Sequence, residues 1–128
     1  MDKQKKKDLA SAFAQSWRPM GVFQIRNAVN GKIYVDGTMD LDGARNRLEF
    51  MKKTNMIAWM ELKDDWNAHG PDAFLFEELD RIKPREEFAA DRAAESKAYK
   101  GEVDALLELW LEKLQPYGER GYNRRKRT

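Results

Sequence analysis

Two short alternating runs joined by an Asn-Gly turn constrain this chain more than any other feature. Gly21-Val22-Phe23-Gln24-Ile25-Arg26 and Lys32-Ile33-Tyr34-Val35-Asp36 are both rich in β-branched and aromatic residues. Between them Asn27-Ala28-Val29-Asn30-Gly31 closes on the Asn-Gly pair that tolerates the positive backbone angles of a hairpin turn. The two runs therefore predict an antiparallel hairpin, and with it a sheet.

The rest of the chain supplies helices and one further strand. Leu9, Ala10, Phe13, Ala14 and Trp17 have helical spacing and predict an N-terminal helix over 7–17 that ends before Pro19. After Gly37-Thr38, the spacing of Leu41, Ala44, Leu48 and Met51 predicts a helix from about Asp40 to Lys53. Ile57, Trp59, Met60, Leu62 and Trp66 suggest another over 56–69, stopped by Gly70-Pro71. Phe74, Phe76, Leu79 and Ile82 predict a third strand bounded by Pro84. Residues 85–100 are charged and Ala-rich, compatible with helix but lacking a clear apolar face. Val103, Leu106, Leu107, Trp110, Leu111 and Leu114 repeat at three–four spacing, which predicts a long amphipathic C-terminal helix ending at Gln115-Pro116. The expected fold class is α+β, a small sheet with helices packed against it, with no internal repeat.

Composition narrows the chemistry. A length of 128 residues suits one domain with a real core. There is no cysteine, which excludes disulfides, zinc–thiolate sites and a cysteine nucleophile, and a single histidine, His69, which excludes multi-histidine metal centres. His69 precedes Gly70 at a helix end, where an imidazole serves the last carbonyls better than it serves catalysis. No apolar run is long enough for a signal peptide or a transmembrane span, so a cytoplasmic, non-membrane protein is expected. The net charge of +2 is unevenly placed: residues 1–7 carry +3, Arg124-Arg125-Lys126-Arg127 carry +4, and the body between is −5. Basic ends of this kind either bind nucleic acid by releasing its counterions or simply keep the chain soluble.

The hairpin resembles the two signature motifs of the GIY-YIG nuclease superfamily: Gly21-Val22-Phe23 stands at the first and Tyr34-Val35-Asp36 at the second. Downstream segments follow in the family's order: Leu62-Lys63-Asp64-Asp65-Trp66 with Gly70, Phe74-Leu75-Phe76-Glu77, Trp110-Leu111-Glu112-Lys113-Leu114, and Gly121-Tyr122-Asn123. The chain is most similar to short bacterial stand-alone members. The resemblance divides the chain into a basic N-terminal segment and helix (1–20), a GIY-YIG-like domain (21–123) and a basic tail (124–128). It implies a three-stranded, mainly antiparallel sheet flanked by helices, with an N-terminal helix and a long C-terminal one.

It also implies phosphodiester chemistry. In that family a hairpin phenol helps activate water, a helical arginine meets the phosphate, and a later helical glutamate binds a divalent metal. A cation and a guanidinium belong where charge grows on the phosphoryl oxygens. Carried over by position, the first phenol is Phe23, the second is kept as Tyr34, and the motif glycine is Asp36. The arginine position, eight residues beyond Asp36, is Ala44, and a histidine position beyond it is Leu48. The metal glutamate, three residues before Trp110, is Leu107; Asn123 matches the closing motif. Arg47, one helical turn beyond Ala44, is the nearest stand-in for the arginine, and Arg45 points elsewhere. Glu108 is the only displaced metal ligand on offer beside Leu107.

The candidate catalytic residues are thus Tyr34, Arg47 and Asn123, and the candidate nucleic-acid contacts are Lys32, Arg45, Arg124 and Arg125. Three functions follow as expectations. The leading one is a catalytically impaired superfamily member, a pseudoenzyme retained as a DNA-associated or regulatory module, binding DNA non-specifically and needing no cofactor. The second is a divergent endonuclease dependent on Mg2+ or Mn2+. The third is a protein-interaction module using the acidic body.

Overall fold

The computed structural model describes Lys5 and residues 17–85 and 91–125. The helix expected over 7–17 therefore lies, apart from Trp17, outside the described residues, as do residues 126–128 of the basic tail.

Three strands form one antiparallel sheet in the order β2-β1-β3: β1 (Met20–Asn27), β2 (Ile33–Thr38) and β3 (Phe74–Ile82). The hairpin pairs as its alternation predicts, with Phe23 opposite Asp36 and Ile25 opposite Tyr34. β1 also pairs with β3, and a bulge interrupts that ladder between Val22 and Phe23. At this point Gly21 is irreplaceable, because a Cβ there would collide with the carbonyl oxygen of Asp80.

The central strand is buried on both faces. Phe23 and Ile25 belong to the main core, with Leu41, Leu48 and Met51 from α1 (Leu41–Thr54) and Trp66 from α2 (Lys63–His69). Met20 packs instead with Tyr99 and Val103 of α3 (Arg92–Leu114), in a second, smaller cluster. The sheet is thus the middle layer, which is why a hairpin with alternating residues shows no solvated face along β1. Asp40 caps α1 by accepting from the Gly43 N–H at 3.0 Å, and Asn55 ends it in the left-handed conformation with φ 56°.

Two expectations are corrected. The helix placed over 56–69 is only α2, preceded by a single 3-10 turn at Met60–Leu62. Trp59 is extended there (φ −98°, ψ 99°) and buried, its ring 6.1 Å from Phe23, so the apolar residues at 57 and 59 reach the core from irregular chain. Residues 85–100 and the amphipathic segment after them are not separate: from Arg92 they form one helix, capped by Asp91, whose carboxylate accepts from Ala93 and Ala94.

The C-terminal segment folds back on β2. Ile33 bridges Gly121 in parallel, the Ile33 N–H donates to Arg120 at 3.2 Å, and the Tyr122 N–H donates to Ile33 at 2.8 Å. The otherwise open edge of β2 is thereby covered.

Candidate functional site

A cavity of about 210 Å³ opens where β1, β2 and α1 meet, lined by Phe23, Asp36, Gly37, Ala44, Arg47 and Trp59 among others. Three positions carried over from the family, 23, 36 and 44, therefore converge on one place. The fold explains this: Phe23 and Asp36 are cross-strand partners, and Ala44 lies in the first turn of the helix that follows β2. Arg47 joins them as one helical turn predicts, its guanidinium 5.5 Å from the centre of the Trp59 ring.

The side chains present are a poor set for phosphate. Phe23 is 1% exposed and stacks on Phe76 at 5.0 Å, so it serves the core. Asp36 accepts from the Gly37 N–H at 2.8 Å and, more loosely, from the Tyr34 hydroxyl at 3.4 Å. Burial raises the Asp36 pKa, outweighing both of those bonds, and the carboxylates of Glu61 and Asp104 push it the same way. Tyr34 is half-buried, 6.5 Å from Trp59, and its pKa is raised well above that of a free phenol by burial first and then by Asp36 and Glu61. A phenol pushed this way leaves little phenolate at neutral pH to take a proton from water. Negative charge thus surrounds the spot a phosphate would approach, and Arg47 is the one guanidinium among the lining residues.

The metal position fares no better. α3 crosses β2 at Gly37, where a Cβ would stand 2.7 Å from Val103 Cγ1 and 3.7 Å from Leu107 Cβ. Leu107 is therefore packed against the sheet beside the cavity, as its place in the apolar stripe predicts, and offers no oxygen. Glu108 is exposed on α3, in a shallow groove shared with Asp104, Leu107 and Leu111, and does not line the cavity. Both oxygens of Asp36 are engaged, and Asp40 is committed to Gly43 and to Arg18 at 3.1 Å. Among the described residues no three carboxylates or imidazoles are grouped to hold a metal ion. The divalent metal implied by the resemblance does not fit this donor set.

The other sequence candidates fall elsewhere. Asn123 does not face the cavity; its side-chain amide donates to the Val35 carbonyl at 2.7 Å and accepts from the Val35 N–H at 2.9 Å, a clamp on the edge of β2. Arg45 lies over the Phe76 ring at 5.0 Å and 3.6 Å from Asp42. Lys32 stands over the Tyr122 ring at 4.9 Å, Arg125 over Tyr117 at 4.6 Å, and Arg124 is exposed. His69 is exposed in the last turn of α2.

Sequence reasoning missed a polar knot that organises this end of the molecule. The Tyr122 hydroxyl donates to Asp65 at 2.6 Å and accepts from Asn27 at 3.1 Å, while Asn30 donates to the same Asp65 oxygen at 2.9 Å. Burial and the Asp65 carboxylate push the Tyr122 phenol up to about 12, and the hydroxyl in turn holds Asp65 below the usual carboxylate range. The partners lie 57 and 95 residues apart, and no local pattern in the sequence pairs them.

No protein-family model and no curated protein sequence matches the chain. Two solved structures do. The catalytic domain of homing endonuclease I-TevI aligns at 21% identity with a TM-score of 0.55, over 84% of this chain and 99% of that one. The catalytic domain of intron endonuclease I-TevI bearing a single glutamate-to-alanine change aligns at 23% identity and a TM-score of 0.57, over 82% and 92%. At such identities the likeness is one of fold, spanning nearly the whole of the matched domain.

Proposed function

We propose that this chain, which carries the GIY-YIG fold, is a nucleic-acid-associated module that no longer hydrolyses phosphodiester bonds efficiently. The observation that carries the reading is the combination at the cavity: Asp36 in place of a small residue, Ala44 in place of the arginine, and Leu107 packed where the metal ligand belongs. One lost transition-state contact of this kind typically costs ~3–4 kcal/mol, or several hundred-fold in rate. Loss of both the arginine and the metal ligand removes the two cations that phosphoryl chemistry depends on. DNA as the partner is supported by the fold shared with endonuclease catalytic domains and by the basic ends of the chain.

The test is retention without cleavage. A labelled DNA duplex incubated with the protein and Mg2+ at low salt should be retained and then recovered intact. Failure to retain DNA, or RNA offered in parallel, removes the nucleic-acid part of the reading. A second reading, a divergent endonuclease acting through Tyr34 and Arg47, is favoured by the presence of Arg47 at the cavity. It predicts shortened products that vanish with chelator and with Tyr34→Phe.

A further inference from the structure

Among the described residues five arginines lie on carboxylates, while Arg47 and Arg92 lie over the Trp59 and Trp17 rings. Arg18, Arg26, Arg45, Arg81 and Arg85 each lie on a carboxylate: Asp40, Glu77, Asp42, Glu78, and the Glu95–Glu102 pair, respectively. Arg120, Arg124 and Arg125 are exposed and make no ion pair among the described residues, nor does Lys32. These four cations come from two places 88 or more residues apart in sequence, yet the fold brings their chain segments side by side. Ile33, next to Lys32, donates its N–H to the Arg120 carbonyl, and Arg120 in turn donates to Tyr117 at 3.1 Å. The Asn123 N–H bonds to Pro116 at 3.0 Å, setting Arg124 and Arg125 beside Tyr117, whose ring Arg125 covers. Glu119 is the sole carboxylate between Tyr117 and Arg125. None of the four cations lines the cavity.

We propose that Lys32, Arg120, Arg124 and Arg125 form one surface, outside the cavity, that grips the phosphate backbone of a nucleic acid. The inference rests on the nucleic-acid reading above and assigns it a place. The surface is held in advance of binding. Asn123 clamps the segment to Val35, Tyr122 is tied to Asp65 and Asn27, and the Lys32 ammonium rests on the Tyr122 ring. Little ordering remains to be done when the partner arrives. Unpaired guanidiniums displace counterions without first breaking an internal ion pair, and their rigid forks match phosphate oxygens.

The experiment is fluorescence anisotropy of the full chain with a labelled duplex over a range of salt concentrations. It compares wild type, K32Q/R120Q, R124Q/R125Q, the combined four-fold variant and R45Q/R47Q. Each phosphate contact contributes about 0.9 to the slope of log affinity against log salt. Each patch pair should therefore flatten the slope by about two, and the four-fold variant by between about three and four. Between 50 and 200 mM salt the four-fold variant should then lose roughly a hundredfold less affinity than wild type. Thermal melts of the variants should show them folded, with at most a small drop in Tm from the lost contacts of Lys32 with Tyr122 and Arg125 with Tyr117.

An unchanged slope in K32Q/R120Q overturns the proposal, as does binding that depends on Arg45 and Arg47 alone. Dependence confined to R124Q/R125Q means the terminal tail binds without the folded patch, and also overturns it. Wild type that retains no nucleic acid even at low salt refutes the underlying reading, an outcome plainly different from wild-type binding that ignores the patch.

Discussion

Asp36 lines the cavity, and its carboxylate is half-buried beside Tyr34, with Glu61 and Asp104 in electrostatic reach. Its raised pKa means that the folded state holds the proton more tightly than the unfolded chain does. Its ionised form therefore detracts from stability, the penalty growing as pH rises from the unfolded pKa through the folded one and vanishing below the unfolded pKa. Asp36→Asn should raise the Tm at neutral pH, with the gain shrinking as pH falls into the acid range; an equal gain at every pH would contradict the assignment. Tyr122 tests the opposite sign. Its hydroxyl stabilises ionised Asp65, so Tyr122→Phe should cost about 1–2 kcal/mol at neutral pH. The Asp65 pKa is lowered, so that cost should fade as pH drops through it, a trend chemical denaturation at several pH values would follow. Little of this was legible in the sequence. Which carboxylate is buried, and which tyrosine meets it, depends on partners brought together only by the closed chain.

At the scale of elements, the hairpin could be read from its β-branched and aromatic runs and its Asn-Gly turn, and α1, β3 and the amphipathic half of α3 from the period of their apolar residues. The first turns of α3 could not, because Tyr99 is the only residue buried between Arg92 and Gly101 and a single apolar contact creates no periodicity. The stretch before α2 misled for the reverse reason: Trp59, Leu62 and Trp66 have helical spacing, while the chain before Met60 is irregular and only a 3-10 turn precedes α2. Asn123 could be matched to a motif, but its use as a clamp on Val35 is a property of the edge it covers. Asn123→Ala should strip two hydrogen bonds from Val35 and cost about 1–3 kcal/mol, with faster amide exchange at Val35 and Tyr122. The crossing of α3 over β2 is as demanding. Gly37→Ala puts a methyl group 2.7 Å from Val103 Cγ1 and should destabilise by about 1–3 kcal/mol, measured by denaturant unfolding. A neutral effect would mean that α3 does not sit this closely on the sheet.

The whole molecule combines a fold shared with an endonuclease catalytic domain with a cavity lined by aromatic, aliphatic and acidic groups and Arg47, and Arg120, Arg124 and Arg125 lie exposed along the segment that covers β2. No helix among the described residues is long and apolar enough to cross a membrane. A ligand that binds only the folded state raises Tm with concentration. Because the donor set does not suit a divalent cation, millimolar Mn2+ should leave the Tm unchanged, and a rise of several degrees would reveal a site the geometry does not offer. The proposed function requires that this fold does not cleave DNA. It is tested most directly by following supercoiled plasmid under excess protein with Mg2+ or Mn2+, against a chelator control. The account predicts that nicking stays at the chelator level. Metal-dependent nicking that disappears in Tyr34→Phe would contradict it, and would mean the cavity around Arg47 is a working active site.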